Sequence, residues 1–310
     1  MKLFQKDPAD SRHYYQPDPF IFKHDGTYYV YATGGSGVQL YRSHALKEGW
    51  QYVGEVYCRA GFHGDWAPGI MEKAGVFYLY CSCQPDDNPD VHSHRLQVAT
   101  ADSPEGPFVF RREICPPFSI DAHVFTVPEG TYLIYSTNDT ECERPGTLVM
   151  LDKMTDPLHA EGRPVVAVRA TMDEEVHAFN RFKEGEHWHT IEGGCYHFMN
   201  DTHFLLYSGA GFVGDRYFVG YALSHEKVSD LRDIHWQKYP DDHTFRPLLY
   251  RTDFVEGTGH NSLIEEDGAL YIVYHARDKG VEHKENLDYR EMRLDRVDVD
   301  GDALSVTIQK

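Results

Sequence analysis

Basic residues are in short supply in this 310-residue chain: 30 Lys and Arg stand against 49 Asp and Glu, a formal net charge of −19. Phosphate recognition needs concentrated Lys and Arg, so nucleic acid and anionic membrane surfaces are excluded and a neutral or cationic partner is expected. Cysteine is sparse too. The six cysteines (Cys58, Cys81, Cys83, Cys115, Cys142, Cys195) form no CxxC pair and are too few for a disulfide scaffold, which predicts reduced, mostly buried thiols. No run approaches the roughly 18 apolar residues that span a bilayer, and the opening MKLFQKDPADSRHYY lacks the apolar segment of a secretory leader. A cytoplasmic location is the expectation. P-loop, GxGxxG and GxSxG motifs are missing, which removes the usual nucleotide and serine-hydrolase readings. Long helical patterns are scarce as well: Thr171 to Asn180 fits a short helix and Ser43 to Glu48 a single turn.

Aromatics, by contrast, are plentiful, with 21 Tyr and 17 Phe, and such residues favour strands. Five segments repeat one design, a turn residue or two and then an aromatic-rich run closing on Tyr: DGTYYVYAT (25–33), AGVFYLYCS (74–82), EGTYLIYST (129–137), NDTHFLLYS (200–208) and DGALYIVYHA (267–276). Gly and Asn-Asp supply the positive φ of a tight hairpin turn. The closing tyrosines Tyr31, Tyr80, Tyr135, Tyr207 and Tyr274 recur on average every 61 residues or so. A four-stranded propeller blade needs at least about 40–45 residues. The pattern therefore predicts an all-β fold, a five-bladed β-propeller filling residues 1–310 as one domain.

In a propeller the inner strands surround a central channel, so residues at one offset before each hairpin should converge there. Asp18, Trp66, Asp121, Glu192 and His260 stand 13 to 15 residues before the closing tyrosines. Taken singly, each is ordinary turn or strand chemistry; their coincidence in every repeat marks a shared functional site. Three carboxylates gathered in a partly desolvated pocket cannot all keep ordinary pKa values, and such separation is what acid/base catalysis uses.

At these residues the chain resembles glycoside hydrolase family 43. The resemblance rests on Asp18-Pro19 ahead of Gly26-Thr27-Tyr28-Tyr29, on Trp66-Ala67-Pro68, Asp121 with Phe125, Glu192-Gly193, and Gly259-His260-Asn261-Ser262 followed by Tyr274-His275. It implies a five-bladed enzyme that cleaves arabinose- or xylose-containing sugars with inversion. Asp18 would be the general base, Glu192 the general acid, and Asp121 the group that raises the pKa of Glu192 and orients it. Trp66 would offer an aromatic face to a sugar, and His260 would lie at the channel centre and hold a hydrated Ca²⁺ or similar cation through water. Tyr289-Arg290-Glu291-Met292 looks like the family's last strand, where Arg290, with Arg293 as alternate, would reach the sugar. No organic cofactor is implied.

Two departures stand out. Glu192-Gly193-Gly194 replaces the family's more usual Glu-Gly-Pro, and a 310-residue chain is expected to leave no room for the C-terminal β-sandwich of many family β-xylosidases, an expectation that favours a compact arabinofuranosidase. The expected activity is release of terminal L-arabinofuranose from small oligosaccharides. A β-D-xylosidase is the close alternative, and a non-catalytic carbohydrate- or protein-binding propeller the more distant one. His92/His94 and His187/His189 could each place two imidazoles on one strand face, but no Cys or carboxylate spacing completes a zinc site.

Overall fold

A computed structural model describes residues 1–7, 14–281 and 288–310. Five four-stranded antiparallel units follow one another along the chain as the blades of a propeller. Their innermost strands are Phe20–His24, Phe62–Lys73, Ile120–Val127, Trp188–Met199 and Val255–Glu266. Each pairs with the next strand through a tight hairpin. Four hairpins turn on Asp25-Gly26, Ala74-Gly75, Asn200-Asp201 and Asp267-Gly268, with positive φ at both positions, the geometry whose twist matches paired strands. The third differs. Val127 pairs with Gly130 across Pro128-Glu129, and the proline ring forbids positive φ there.

Tyrosines join the blades through an apolar body and a polar tip, two of the closing residues among them. Tyr31, Tyr80, Tyr207 and Tyr274 are at most 2% exposed. Tyr80 of blade two donates to the carbonyl of Pro157 in blade three at 2.8 Å, and Tyr31 of blade one bonds in the same way to Pro104 of blade two. Tyr132 of blade three accepts from the Leu231 amide of blade four, and Tyr221 of blade four donates to Asp302 of blade five. These hydroxyls latch each blade to the next. Five apolar clusters, one at each blade boundary, do the rest of the joining. The cluster between blades five and one sets Val273 and Leu294 against Val30 and Tyr41. There the first residues also pair with the last blade, Leu3 N–H to Met292 at 3.1 Å and Leu294 N–H to Met1 at 2.9 Å. Blades three and four are further joined by a short parallel pairing, Gly146 with His189 and Thr147 with Thr190.

Neither short helix forms. Residues 171–180 hold only a 3₁₀ turn, Asp173–Glu175, before a strand at Val176–Ala178. The Glu175 carboxylate accepts the amides of Thr171 (2.6 Å) and Met172 (3.0 Å) and pairs with buried Lys238; this local capping replaces the helical ladder. Residues Ser43 to Glu48 form a turn closed by an Ala45–Glu48 bridge. The cysteines are all free, four of them buried. Among the described residues, no helix is long and apolar enough to cross a membrane.

Candidate active site

Near the start of each inner strand one residue takes the left-handed conformation: Asp18 (φ 56°), Ala67 (44°), Asp121 (62°), Gly193 (61°) and His260 (45°). In blades two to five the pairing register slips at the same place. These five, 13 or 14 residues before the closing tyrosines, are the true equivalents. Trp66 and Glu192 stand one residue upstream, which corrects the expected set. Side chains alternate along a strand, so one step changes where a side chain points. The five equivalents line a narrow channel with about 10 Å³ open to a water's centre, room for about one water.

A left-handed residue loses its place in the ladder, and its N–H must find another acceptor. The neighbouring blade supplies it. The Ala67 amide donates to Thr33 Oγ1 (2.7 Å), Gly193 to Asp121 Oδ2 (3.1 Å), His260 to Ser208 Oγ (2.7 Å) and Asp18 to His275 Nδ1 (3.0 Å). Thr33, Ser208 and His275 follow the closing tyrosines by one or two residues, so three of the repeats carry the cap for the next blade; Ser136, at the same place, bonds Asp121 Oδ2 instead.

The carboxylates sit in contrasting surroundings. Asp18 Oδ2 accepts from Thr33 Oγ1 at 2.6 Å, while Oδ1 faces His275 Nδ1, Arg290 Nη1 and His260 Nδ1 at 3.3, 3.4 and 3.5 Å. Burial alone would raise its pKa, but His260, Arg290 and His275 hold it well below the usual carboxylate range. Burial also lowers both imidazoles, His275 to about 4, so Arg290 is the standing cation at neutral pH. Arg290 is itself gripped by Asp288 at 2.6 Å, and its guanidinium lies 4.4 Å from the Phe212 ring centroid.

Among the described residues, Glu192 has no cation in contact. Its Oε1 accepts from Tyr217 at 2.6 Å. Burial pushes its pKa up to about 7, with Tyr217 and Arg290 pulling down and the Asp18 charge pushing up. Asp121 is raised well above its usual range, by burial first and then by the charges of Glu192 and Asp18; Gly193 N–H and Ser136 Oγ, both on Oδ2, oppose this. Glu192 and Asp121 behave as one pair that holds a proton to unusually high pH.

The structure thus brings Asp18, Asp121, Glu192, His260 and Arg290 to one end of the channel. Arg293 lies elsewhere, tied to Asp278 at 2.7 Å in the last blade. Trp66 is half-buried at the rim, one face covered by His94 at a ring separation of 3.7 Å. His94 is therefore a stacking partner, and His189 bonds Arg144 and Pro145. Among the described residues no three His, Cys, Asp or Glu side chains converge on a metal position. Calcium takes six to eight oxygens, and His260 offers one imidazole, so these residues build no direct-ligand calcium site; a cation beside His260 would be held through water. Gly194, where the family more often has Pro, packs so tightly that a Cβ would lie 2.5 Å from Ile134 Cγ2.

Tyr217 was not legible in the sequence. It stacks on His275 at 5.6 Å and lies so close over Gly259 that a Cβ there would come within 1.9 Å of its ring. Gly259, quoted above only as a motif residue, is the signal that a ring approaches this backbone.

The family model of glycosyl hydrolases family 43 matches residues 13–304. Xylosidase/arabinosidase 43A of Humicola insolens is 23% identical over 249 residues, 74% of this chain and 72% of its own length. A thermostable family-43 glycoside hydrolase superposes with a TM-score of 0.79 at 24% identity, covering 95% of this chain and 93% of that one. The α-L-arabinofuranosidase from Lactobacillus brevis superposes with a TM-score of 0.78 at 21% identity, covering 94% and 93%. At such identities the superpositions speak to the fold, the five-bladed propeller. The chain belongs to glycoside hydrolase family 43 and is a glycoside hydrolase.

Proposed function

We propose that the enzyme releases terminal L-arabinofuranose from arabino- or arabinoxylo-oligosaccharides by single displacement with inversion, with Asp18 as base and Glu192 as acid. The observation that carries this reading is the contrast between two buried carboxyls, Asp18 against the Arg290 guanidinium and Glu192 against the Tyr217 hydroxyl. Asp18, beside Arg290, is ionised at any working pH; Glu192, beside a neutral hydroxyl, keeps its proton to about 7. Inverting hydrolysis uses one of each. Thr33 occupies Asp18 Oδ2 and leaves Oδ1, with only longer contacts, to receive a proton from water. Tyr217 occupies Glu192 Oε1, which leaves Oε2 to carry the proton. As the water oxygen bonds to the anomeric carbon, its proton passes to Asp18. The glycosidic C–O bond breaks, and the Glu192 proton goes to the departing oxygen. Asp121 and Glu192 share the pair's proton, so a charge on one raises the pKa of the other, and Arg290, His260 and the open face of Trp66 would hold the sugar.

No step passes through a cation. A hydrated Ca²⁺ beside His260 would act as a structural guest, tested by following melting temperature through chelation and calcium readdition; an unchanged temperature removes it.

β-D-Xylosidase is the second reading, favoured by the two activities in the name of the Humicola insolens relative. Assays of 4-nitrophenyl α-L-arabinofuranoside and β-D-xylopyranoside with wild type, Asp18→Ala and Glu192→Ala separate the two. Faster turnover of the arabinoside, lost in Asp18→Ala, is expected; 4-nitrophenolate departs with little help from an acid, so Glu192→Ala should keep part of this activity and lose that on arabinobiose. Preference for the xyloside selects the second reading, and full activity of Asp18→Ala on the arabinoside or of Glu192→Ala on arabinobiose refutes the assigned roles.

A further inference from the structure

Two loops flank Glu192 in blade four, and their exposed rings have no part in the chemistry above. Residues 179–187 lead directly into Trp188–Met199, the strand that carries Glu192. Residues 210–217 leave Thr202–Gly209, whose Ser208 is paired with Glu192, and end at Tyr217, which bonds the acid. The loops are fastened together. Arg216 Cζ lies 5.0 Å from the Phe179 ring centroid and its Nη2 donates to the Val176 carbonyl at 3.3 Å, while the absence of a side chain at Gly211 admits the His177 ring.

On this fastened surface Phe179 is 54% exposed, Phe182 66% and Val213 49%. Phe182 is the most exposed large hydrophobic side chain among the described residues, and the other exposed phenylalanine, Phe198, lies toward the far end of the same strand. The exposed rings are not loose: Phe179 also meets the His187 ring at 5.1 Å and Phe182 the Trp188 ring at 6.0 Å. Rings already fixed lose little freedom when a ligand stacks on them. Arg181, 4.5 Å above Trp188, adds hydrogen-bond donors beside the rings.

We propose that Phe179 and Phe182 form a platform for the sugar on the departing side of the scissile bond, so that the preferred substrate is an oligosaccharide and not a simple glycoside. The inference rests on the assignment of Glu192 as acid. The acid's proton goes to the leaving oxygen, so the departing sugar must lie on the Glu192 side of the anomeric carbon, where these loops stand. The C–H faces of a pentose present a flat apolar surface that suits an aromatic ring, and hydroxyls at its edge suit the guanidinium.

The test compares wild type with the Phe179→Ala/Phe182→Ala double variant on arabinotriose and on methyl α-L-arabinofuranoside, with xylotriose and methyl β-D-xyloside in parallel. The ratio of kcat/KM for trisaccharide over methyl glycoside should fall about tenfold, mainly through KM. An unchanged ratio overturns the platform. Trisaccharide binding by calorimetry, in a Glu192→Gln background, separates the platform from the chemistry. Affinity reduced about tenfold by the double variant supports the platform even if turnover disproves the acid; equal affinities overturn it whatever the turnover shows. Unchanged melting temperature and circular dichroism exclude a folding defect, and Phe→Tyr at both positions should restore the ratio.

Discussion

The two sides of the channel are built from the same repeat and yet treat a carboxyl in opposite ways. On the blade-one side, Asp18 occupies the left-handed position itself and is surrounded by Thr33, Arg290, His260 and His275. On the blade-four side that position is Gly193, and Glu192, one residue upstream, meets the Tyr217 hydroxyl and shares its neighbourhood with Asp121. Both carboxyls are withdrawn from water. What separates them is the partner. A guanidinium offsets the cost of burying a charge, whereas a neutral hydroxyl offsets only part of it and leaves the proton favoured. Arg290 also costs Asp18 basicity, so the same contact that guarantees ionisation makes the proposed base weaker.

The largest effect should come from erasing either side. Asp18→Asn and Glu192→Gln should each lower kcat/KM by about a hundred- to ten-thousand-fold. A substrate with a better leaving group should lessen the deficit for Glu192→Gln and not for Asp18→Asn. Equal response to the leaving group would mean that the two do not divide the work. Next in size, Arg290→Gln removes the cation and should lower kcat/KM about a hundredfold. Asp18 would then bind a proton more readily, so an acidic limb should enter the pH–rate profile; its absence would show that another group keeps Asp18 ionised.

On the acid side, Asp121→Asn takes away a like charge, so the Glu192 pKa should fall and the alkaline limb should move to lower pH, with activity lost first at pH 7–8. An unmoved limb would identify Asp121 as the member of the pair that keeps the proton. The smallest effect is expected from Tyr217→Phe, measured by the same profile. Tyr217 stabilises the ionised form of Glu192, so its loss should move the alkaline limb upward, with a change in kcat under about tenfold.

Much of this contrast could be read before any coordinates, and the reason lies in the repeat. Tyr-closed strands declare five hairpins because each closing tyrosine buries its ring in the blade core, and Tyr31 and Tyr80 also reach a carbonyl of the next blade. Asp18, Asp121 and His260 were found because their offset is the blade's own period. The count gave Trp66 and Glu192 where the backbone places Ala67 and Gly193, since a functional side chain draws the eye and a bare left-handed backbone does not. Arg290, just ahead of the strand Glu291–Asp300, could be told from Arg293, within it, only in space, since the two bond different blades. Tyr217 belongs to no repeat position, and only the crowding at Gly259 betrays it. The missing helix at 171–180 has the same origin as these misses: Glu175 and Lys238 lie far apart in sequence, and their pairing decides the local backbone.

The opposite protonation of Asp18 and Glu192 is tested most directly by the wild-type pH dependence of kcat/KM on a pentoside, taken from pH 4.5 to 9. With Glu192 active as the acid, the rate should fall as pH rises through about 7. With Asp18 ionised throughout, it should stay flat from pH 6 down to 4.5. A rate that climbs with pH between 4.5 and 6, or one still level at pH 9, would contradict the account.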